Sequence, residues 1–214
     1  MPYQEEKISL AIRIMILVYA FHMGRKSHFR RDEFMDAAVR MVVEKGPGAL
    51  TISALAKGMN AAIGSVYHRF PSRDVLLAET WIRIVESFQR EFLKTLAKDG
   101  LQAALNTIQW VREHPREARI LLVYRREELV SGPWPEHLKG QVACLSRELD
   151  SGIRSFTKKH FGNAGKETLR RATFALVDVP LAAVRRHLQD GESPPAIIDE
   201  MVRETYLAAM GSRK

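Results

Sequence analysis

Residues 50–77 read LTISALAKGMNAAIGSVYHRFPSRDVLL, and this stretch decides the fold. Thr51 fits a helix N-cap, and the apolar residues that follow it recur on one helical face. Asn60 comes next, a residue type that tolerates the left-handed conformation of a tight turn. A second short helix is predicted at about residues 62–69, before Pro71 interrupts the chain. The stretch therefore predicts two short helices joined by a tight turn.

Helical patterns extend from this stretch in both directions. Upstream, apolar residues at helical spacing between residues 34 and 42 predict a helix that Gly46-Pro47-Gly48 ends. Downstream, Ser72 fits the N-cap of a long helix that ends near Asp99-Gly100. Strand-like alternation and hairpin signals are absent from the sequence, so the predicted fold class is all-α. Further helices are predicted at about residues 101–113, 116–129, 135–161, 165–190 and 195–210.

A longer helix followed by two short helices around a tight turn is the pattern of a helix-turn-helix unit. Such a unit places its last helix in the major groove of DNA, which requires small residues near the start of that helix. Ala62, Gly64 and Ser65 meet this requirement. Polar and basic side chains that can hold phosphates follow within two turns. The pattern therefore indicates DNA binding.

Basic residues are concentrated around this unit. The whole chain has a formal net charge of +8, with 33 Lys and Arg against 25 Asp and Glu. Residues 25–73 hold nine basic and four acidic residues, whereas residues 74–214 hold 22 and 19. An excess of this size also occurs on ordinary solvated surfaces, but here it coincides with the helix-turn-helix pattern. Together the two features favour an anionic partner, double-stranded DNA.

The same stretch closely resembles the DNA-binding domain of the TetR (tetracycline repressor) family, with a match over about residues 30–78. Members of that family open the second helix with threonine and continue with an aliphatic-alanine pair, a turn and a small-residue segment. Two positions depart from the family pattern, since Asn60 replaces the usual turn glycine and Ala62 replaces the usual serine or threonine. The residues that carry the resemblance are Thr51, Leu55-Ala56, Asn60, Gly64, Val66-Tyr67, Phe70 and Ser72-Arg73-Asp74.

The resemblance implies a role for each matching position. Residues 62–65 would face base edges or the groove floor, and Arg30 and Arg31, with Arg25 and Lys26, would form a basic arm. Tyr67 and Phe70 have an alternative interpretation as core aromatics, and His68 as an ordinary surface residue. Phosphate contacts are expected from Thr51, Tyr67, His68 and Arg73. The predicted DNA-binding residues are Arg30, Arg31, Thr51, Ala62, Ile63, Gly64, Ser65, Tyr67, His68 and Arg73.

The resemblance also divides the chain and implies a body with two roles. Residues 25–78 form the DNA-binding domain, with the helix-turn-helix at about 51–70, and residues 79–214 form a helical ligand-binding and dimerisation domain. The individual aromatic residues of this body can equally be core residues. The predicted ligand pocket comprises Trp81, Phe88, Phe92, Trp110, Tyr124 and Phe174. The predicted dimer interface comprises Leu181, Val184, Leu188, Ile198, Met201 and Tyr206.

Other features exclude several classes of function. The single cysteine, Cys144, rules out an internal disulfide, and the dispersed histidines give no metal motif, so neither a metal nor another cofactor is expected. No nucleophile elbow, P-loop or dinucleotide fingerprint occurs, so no enzyme is predicted. The apolar run at residues 8–21 spans about 21 Å as a helix, short of the ~30 Å core of a bilayer.

Residues 1–24 are therefore interpreted as an N-terminal extension rather than a membrane anchor, or as a stretch upstream of a true start at Met23. The sequence thus predicts a cytoplasmic, homodimeric regulator that binds operator DNA, in this family most often a repressor released by a small-molecule effector. No stable membrane association is expected. The alternative is a helical small-molecule-binding or membrane-associated protein without a DNA role, anchored by residues 8–21. The sequence leaves the effector and the operator open.

Overall fold

The computed structural model describes residues 29–124, 129, 134 and 136–211. The described part contains helices and no strand, which confirms the all-α prediction. The predicted extension at residues 1–24, its apolar run at 8–21 and the arm residues Arg25 and Lys26 lie outside the described residues. The helices are α1 (Arg31–Lys45), α2 (Ile52–Gly58), α3 (Ile63–Tyr67), α4 (Arg73–Leu96), α5 (Gly100–Glu113), α6 (Pro115–Leu122), α7 (Glu136–Phe161), α8 (Lys166–Thr173), α9 (Val179–Asp190) and α10 (Ile197–Met210), with a 3₁₀ turn (Pro47–Ala49) after α1 and a π-helical segment (Phe174–Asp178) before α9.

The three N-terminal helices pack around buried apolar side chains that are continuous with the core of the body. Phe34 from α1 and Phe70, which follows α3, are both fully buried and meet edge to face with ring centroids 6.4 Å apart. Burial of aromatic side chains of this size dominates the stability of a small domain. The prediction that Phe70 is a core aromatic is therefore confirmed. The other fully buried side chains of this core include Val42, Leu50, Leu55 and Val66.

The body is built around α4, which also packs against the first of the N-terminal helices. α4 runs without a break from Arg73 to Leu96, across the domain boundary predicted at residue 78. It packs against α1 at one end and against α5 and α7 at the other. At the start of α5, a Cβ on Gly100 would clash with the Phe156 ring and the Tyr206 hydroxyl, so glycine permits close contact between α5, α7 and α10.

Two predicted helices differ from the structure. The helix predicted at 165–190 is divided by the π-helical segment, in which the Val179 N–H donates to the carbonyl of Phe174 five residues earlier. Pro180 explains the irregularity, because proline has no N–H to donate to the carbonyl of Leu176 four residues before it. The helix predicted at 116–129 ends at Leu122. Among the described residues, no helix is both long enough and apolar enough to cross a membrane.

Candidate nucleic-acid interface

Local capping interactions set the geometry of the helix-turn-helix. Thr51 Oγ1 accepts a hydrogen bond from the Ala54 N–H at 3.0 Å, which confirms the predicted N-cap of α2. Asn60 has a φ of +52° and turns the chain between α2 and α3, as its residue type predicts. Ala62 begins α3 in an extended conformation without a side-chain cap. The missing cap costs about 1 kcal/mol of helix stability compared with serine or threonine.

An exposed face of α3 carries four of the predicted DNA-binding residues. Ile63 and Tyr67 are 47% and 52% exposed, and they lie one turn apart on the helix. Gly64 and His68 form the adjacent exposed row. The exposure of Tyr67 rules out its interpretation as a core aromatic. We call these four residues the α3 face.

Gly64 adds a second observation about this face. A Cβ built on Gly64 would meet no atom of the described chain within 4 Å, and its φ is not positive. Neither packing nor backbone conformation within the chain therefore requires glycine here. Glycine at a position that the fold leaves open is typical of a surface that another molecule approaches closely.

Ser65 lies at the edge of the α3 face and is half-buried. Its Oγ accepts a hydrogen bond from Arg69 Nη1 at 3.0 Å, and its carbonyl oxygen accepts one from the same nitrogen at 2.9 Å. The hydroxyl retains its own proton as a donor. Ser65 can therefore still donate to a base edge, and its oxygen keeps one further lone pair, while Arg69 holds the hydroxyl in place.

Arg73 is tied to the fold rather than directed to a phosphate. Its Nε donates to the carbonyl of Leu50 at 2.8 Å, and its Nη2 donates to the carbonyl of Pro47 at 2.8 Å. Its Nη1 donates to Asp74 at 2.8 Å and to the carbonyl of Leu129 at 3.2 Å. These four hydrogen bonds use most of the donors of the guanidinium. The structure thus corrects the expected phosphate contact, and Arg73 holds the start of α4 against the chain before α2.

Arg31 is engaged in the same way, whereas Arg30 is free of strong contacts. Arg31 Nε and Nη2 donate to the Glu79 carboxylate, and Nη1 donates to the carbonyl of Arg69 at 2.6 Å. The Arg31 guanidinium also lies 4.3 Å from the centroid of the Phe70 ring. This corrects its expected place in a basic arm. The side chain of Arg30 is 83% exposed, and among the described residues it forms a 3.9 Å ion pair with Glu33.

Two exposed residues of α2 were missed by the sequence analysis. Ser53 and Lys57 are exposed and lie one turn apart, on the side of α2 away from its buried residues. Thr51, just before them, is exposed as well. The apolar residues Ile52, Leu55 and Ala56 recur on one face of α2, and this pattern predicts that Ser53 and Lys57 lie on the opposite, exposed face. These side chains extend the polar surface that begins on the α3 face.

The predicted pocket residues do not surround one cavity. Phe88 packs against Trp110 with ring centroids 5.0 Å apart and against Phe92 at 6.2 Å, which forms a closed aromatic cluster. The indole N–H of Trp110 is buried and has no acceptor among the residues of the described chain. These three aromatic side chains therefore pack against one another within the body.

The other three predicted pocket residues lie elsewhere. Trp81 packs against Trp134 with ring centroids 5.8 Å apart. Tyr124 Oη donates to the carbonyl of Val42 at 3.3 Å and so joins the body to α1. Phe174 is 47% exposed at the surface. The structure corrects the pocket assignment of Tyr124 and Phe174, because neither lies in the interior of the body.

The predicted dimer residues are mostly inside the protomer. Met201 is 55% exposed, and Leu181 is half-buried. The exposed apolar side chains on the last helices include Phe174, Ile197 and Leu207. The structure therefore corrects the four predicted interface residues that are buried in the protomer's own core, namely Val184, Leu188, Ile198 and Tyr206.

Comparisons with known proteins agree with this geometry. Residues 34–80 match the model of the bacterial regulatory proteins of the tetR family. Among curated proteins, none matches the chain in sequence. A TetR family transcription regulator from Marinobacter aquaeolei VT8 has the same fold, with a TM-score of 0.61 and 14% identity over 84% of this chain and 94% of that one.

Two further solved structures share the fold. FadR from Bacillus subtilis, in complex with stearoyl-CoA, aligns with a TM-score of 0.62 and 12% identity over 86% of this chain and all of that one. The ketosteroid transcriptional regulator KstR2 of Mycobacterium tuberculosis aligns with a TM-score of 0.53 and 15% identity over 85% and 93%. The matched segment 34–80 contains the capped α2, the turn and the α3 face. The segment that carries the helix-turn-helix therefore matches the tetR family of bacterial regulatory proteins, and the described chain has the fold of solved TetR family transcription regulators.

Proposed function

We propose that the protein is a dimeric repressor that binds a two-fold symmetric operator through α3 and leaves it when a small molecule binds the body. The observation that carries the proposal is the α3 face, which presents Gly64 with open space above it between exposed side chains. In this arrangement the backbone of α3 can approach the floor of the major groove. Repression follows when the bound protein occupies the promoter.

The residues on and beside the α3 face can make two kinds of contact with DNA, to base edges and to phosphates. Ile63 offers an aliphatic side chain that can contact the C5-methyl group of thymine, and Ser65 can donate to a base edge. Tyr67 and His68 can donate to phosphates, as can Thr51 at the start of α2. The phosphate contacts position the protein, and the base contacts select the sequence.

The charges around the α3 face support the same arrangement. Lys57 is exposed on α2, and no ion pair of its side chain is recorded within the described ranges. Arg30 is exposed at the start of α1. In place of Arg31 and Arg73, these two cations are our candidates for contacts with the DNA backbone. Each phosphate that they neutralise releases a counterion and makes binding more sensitive to salt.

A dimer interface is supported by the exposed apolar side chains of the last helices. Ile197 and Met201 lie one turn apart on α10, and Phe174 belongs to the π-helical segment that packs against α10. Exposed side chains of this size are typical of a surface that a partner covers. We propose this set as the centre of a homodimer in which α9 and α10 pack against their symmetry mates.

Release by a small molecule is supported by the continuity of α4 and by a structure of the same fold. α4 packs against α1 and against the body, and its first residue holds the carbonyl of Leu50 just before α2. A change in the tilt of α4 would therefore move the two α3 helices of a dimer. Half-sites are about 34–36 Å apart, or a multiple of that, and a changed spacing prevents both α3 helices from binding together. FadR of Bacillus subtilis, in complex with stearoyl-CoA, supports an effector bound to this architecture.

The test is selection of DNA sequences by the purified full chain, followed by affinity measurements at two salt concentrations. A specific operator with two-fold symmetry, bound with a steep loss of affinity as salt rises, would support the proposal. The α3 variant Tyr67→Ala should lose this binding while its thermal unfolding stays normal, since Tyr67 is exposed. Failure to enrich any sequence would instead favour a helical ligand-binding protein without a DNA role.

A further inference from the structure

A large groove opens on the body at the end of α4 that lies away from the helix-turn-helix. Its volume is about 980 Å³, at the upper end of the roughly 300–1,000 Å³ of ligand pockets in proteins. Four elements form its walls: the last turn of α4, the first turn of α5, the second half of α7 and the end of α10. A smaller cavity of about 520 Å³ shares Leu93, Cys144 and Glu148 with it, so the groove continues between α4 and α7.

The lining combines an apolar surface with exposed cations. Within the described part of the chain, the side chains of Lys98, Arg147 and Lys159 form no ion pair and no hydrogen bond. The two carboxylates of the lining are already acceptors, Asp99 for the Gln102 N–H at 2.9 Å and Glu148 for the Cys144 thiol at 3.6 Å. The apolar lining comprises Leu93, Leu96, Leu101, Phe156 and Leu207.

This combination specifies a class of ligand. Leucine and phenylalanine side chains gain free energy when an aliphatic body covers them. Arg147 can bind a carboxylate or phosphate with two parallel hydrogen bonds, while Lys98 and Lys159 act as point charges. We propose that the groove binds an amphipathic organic anion, with an aliphatic body and a carboxylate or phosphate head, and that this molecule is the effector of the proposed repressor.

The position of the groove connects it with the DNA-binding domain. α4 is 24 residues long, about 36 Å as a helix, and its last turn forms one wall of the groove. Its first residue, Arg73, holds the carbonyl of Pro47 at the start of the 3₁₀ turn and the carbonyl of Leu50 just after it. A ligand that moves Leu93 and Leu96 therefore acts on the same rigid helix that carries the start of α2. The effector role rests on the proposed function, whereas the binding site does not.

Cys144 gives a direct readout of the groove. It is the one cysteine in the chain, it is exposed, and it lies where the two cavities meet. The experiment measures the rate at which a thiol reagent labels Cys144 in the full chain, with and without probes below their micelle concentrations. The probes share a twelve-carbon chain and differ in the head group: dodecanoate, dodecyl phosphate and dodecyltrimethylammonium. Intrinsic tryptophan fluorescence is recorded in parallel.

An anionic probe is expected to slow labelling about tenfold at roughly ten times its Kd, because the occupied groove shields the thiol. The carboxylate and phosphate arms show which head group the cations prefer. Lys159→Glu should raise the Kd of the anionic probe about fivefold, because the ionic contact of the Lys159 ammonium with the head group is lost. Lys158→Glu is the matched control, since Lys158 is exposed, adjacent and outside the groove lining, and it should leave the Kd unchanged.

Three results would overturn the inference. Equal protection by dodecyltrimethylammonium would refute the role of the cations, and equal effects of the two lysine variants would refute a defined site. A fluorescence change without protection of Cys144 would move the ligand to the cluster around Trp110. Release of operator DNA is measured separately with the same probes. Protection without release would support the site and refute its effector role, while failure to bind any DNA would refute the proposed function alone.

Discussion

Replacing Gly64 with alanine adds one methyl group, which should leave folding intact and weaken DNA binding. Within the chain the added methyl group has open space, because no described atom lies within 4 Å of the Cβ position. Alanine is also the better helix former, by up to about 1 kcal/mol in a helix interior. Since Gly64 is the second residue of α3, we expect the free energy of unfolding to stay constant or to rise by up to about 1 kcal/mol.

The same methyl group should weaken binding to DNA. If the backbone of α3 approaches the bases as proposed, the methyl group occupies the space in which Ile63 and Ser65 reach them. The loss of one base contact costs about 1–3 kcal/mol, which corresponds to about 5- to 150-fold in affinity per half-site. On a two-fold operator the free energies of the two half-sites add, so the dimer should lose about twice that free energy.

The assay combines thermal unfolding with operator binding at one salt concentration. Gly140→Ala is the matched control, because Gly140 is exposed in α7 and its Cβ would also meet nothing within 4 Å. Both variants should be as stable as the parent chain or more stable, and only Gly64→Ala should lose affinity. Unchanged operator affinity of Gly64→Ala would refute the close approach of α3 to DNA.

Three further predictions follow from the contacts of single residues. Arg73→Ala should lower the free energy of unfolding, measured by urea denaturation, by about 2–3 kcal/mol, because charged hydrogen bonds to backbone carbonyls are lost. Arg40→Ala, at an exposed residue, should have little effect, and equal effects of the two variants would refute the structural role of Arg73. Lys57→Ala should weaken binding to all DNA sequences alike and reduce the slope of log affinity against log salt concentration by about one, whereas Lys94→Ala at the far end of α4 should change neither. An altered base preference of Lys57→Ala would contradict a phosphate contact. Met201→Asp should convert a dimer into folded monomers in sedimentation, since it places a charge in the proposed interface, and an unchanged dimer would place the interface elsewhere.

The features that the sequence predicts well are local. The N-caps at Thr51 and Ser72 depend on hydrogen bonds to N–H groups three residues away, and both are present in the structure. The turn at Asn60 depends on the conformation of one residue. The contacts of Arg73 are different, because its partners Pro47, Leu50 and Leu129 lie 26, 23 and 56 residues away. No local pattern distinguishes such an arginine from one that faces a phosphate.

The dimer interface shows a second limit of sequence patterns. Val184 and Leu188 lie one turn apart on the apolar face of α9, and the structure uses that face for the protomer's own core. The side chains left exposed, Ile197 and Met201, form a separate pair on α10. Helical periodicity identifies an apolar face, but it does not tell whether the partner of that face is the same chain or another copy.

The groove illustrates the same limit for cavities. Large aromatic side chains such as Phe88 and Trp110 fill the space between helices, so a search for aromatic residues in the sequence finds the closed cluster instead of a pocket. The groove arises where helices end and where α7 presents the small residues Ser151 and Ser155 toward it. An open volume depends on the relative placement of four helices, which only the folded chain specifies. For this protein, effector specificity is therefore to be sought in helix ends and unpaired cations, and DNA specificity in the short, locally encoded α3.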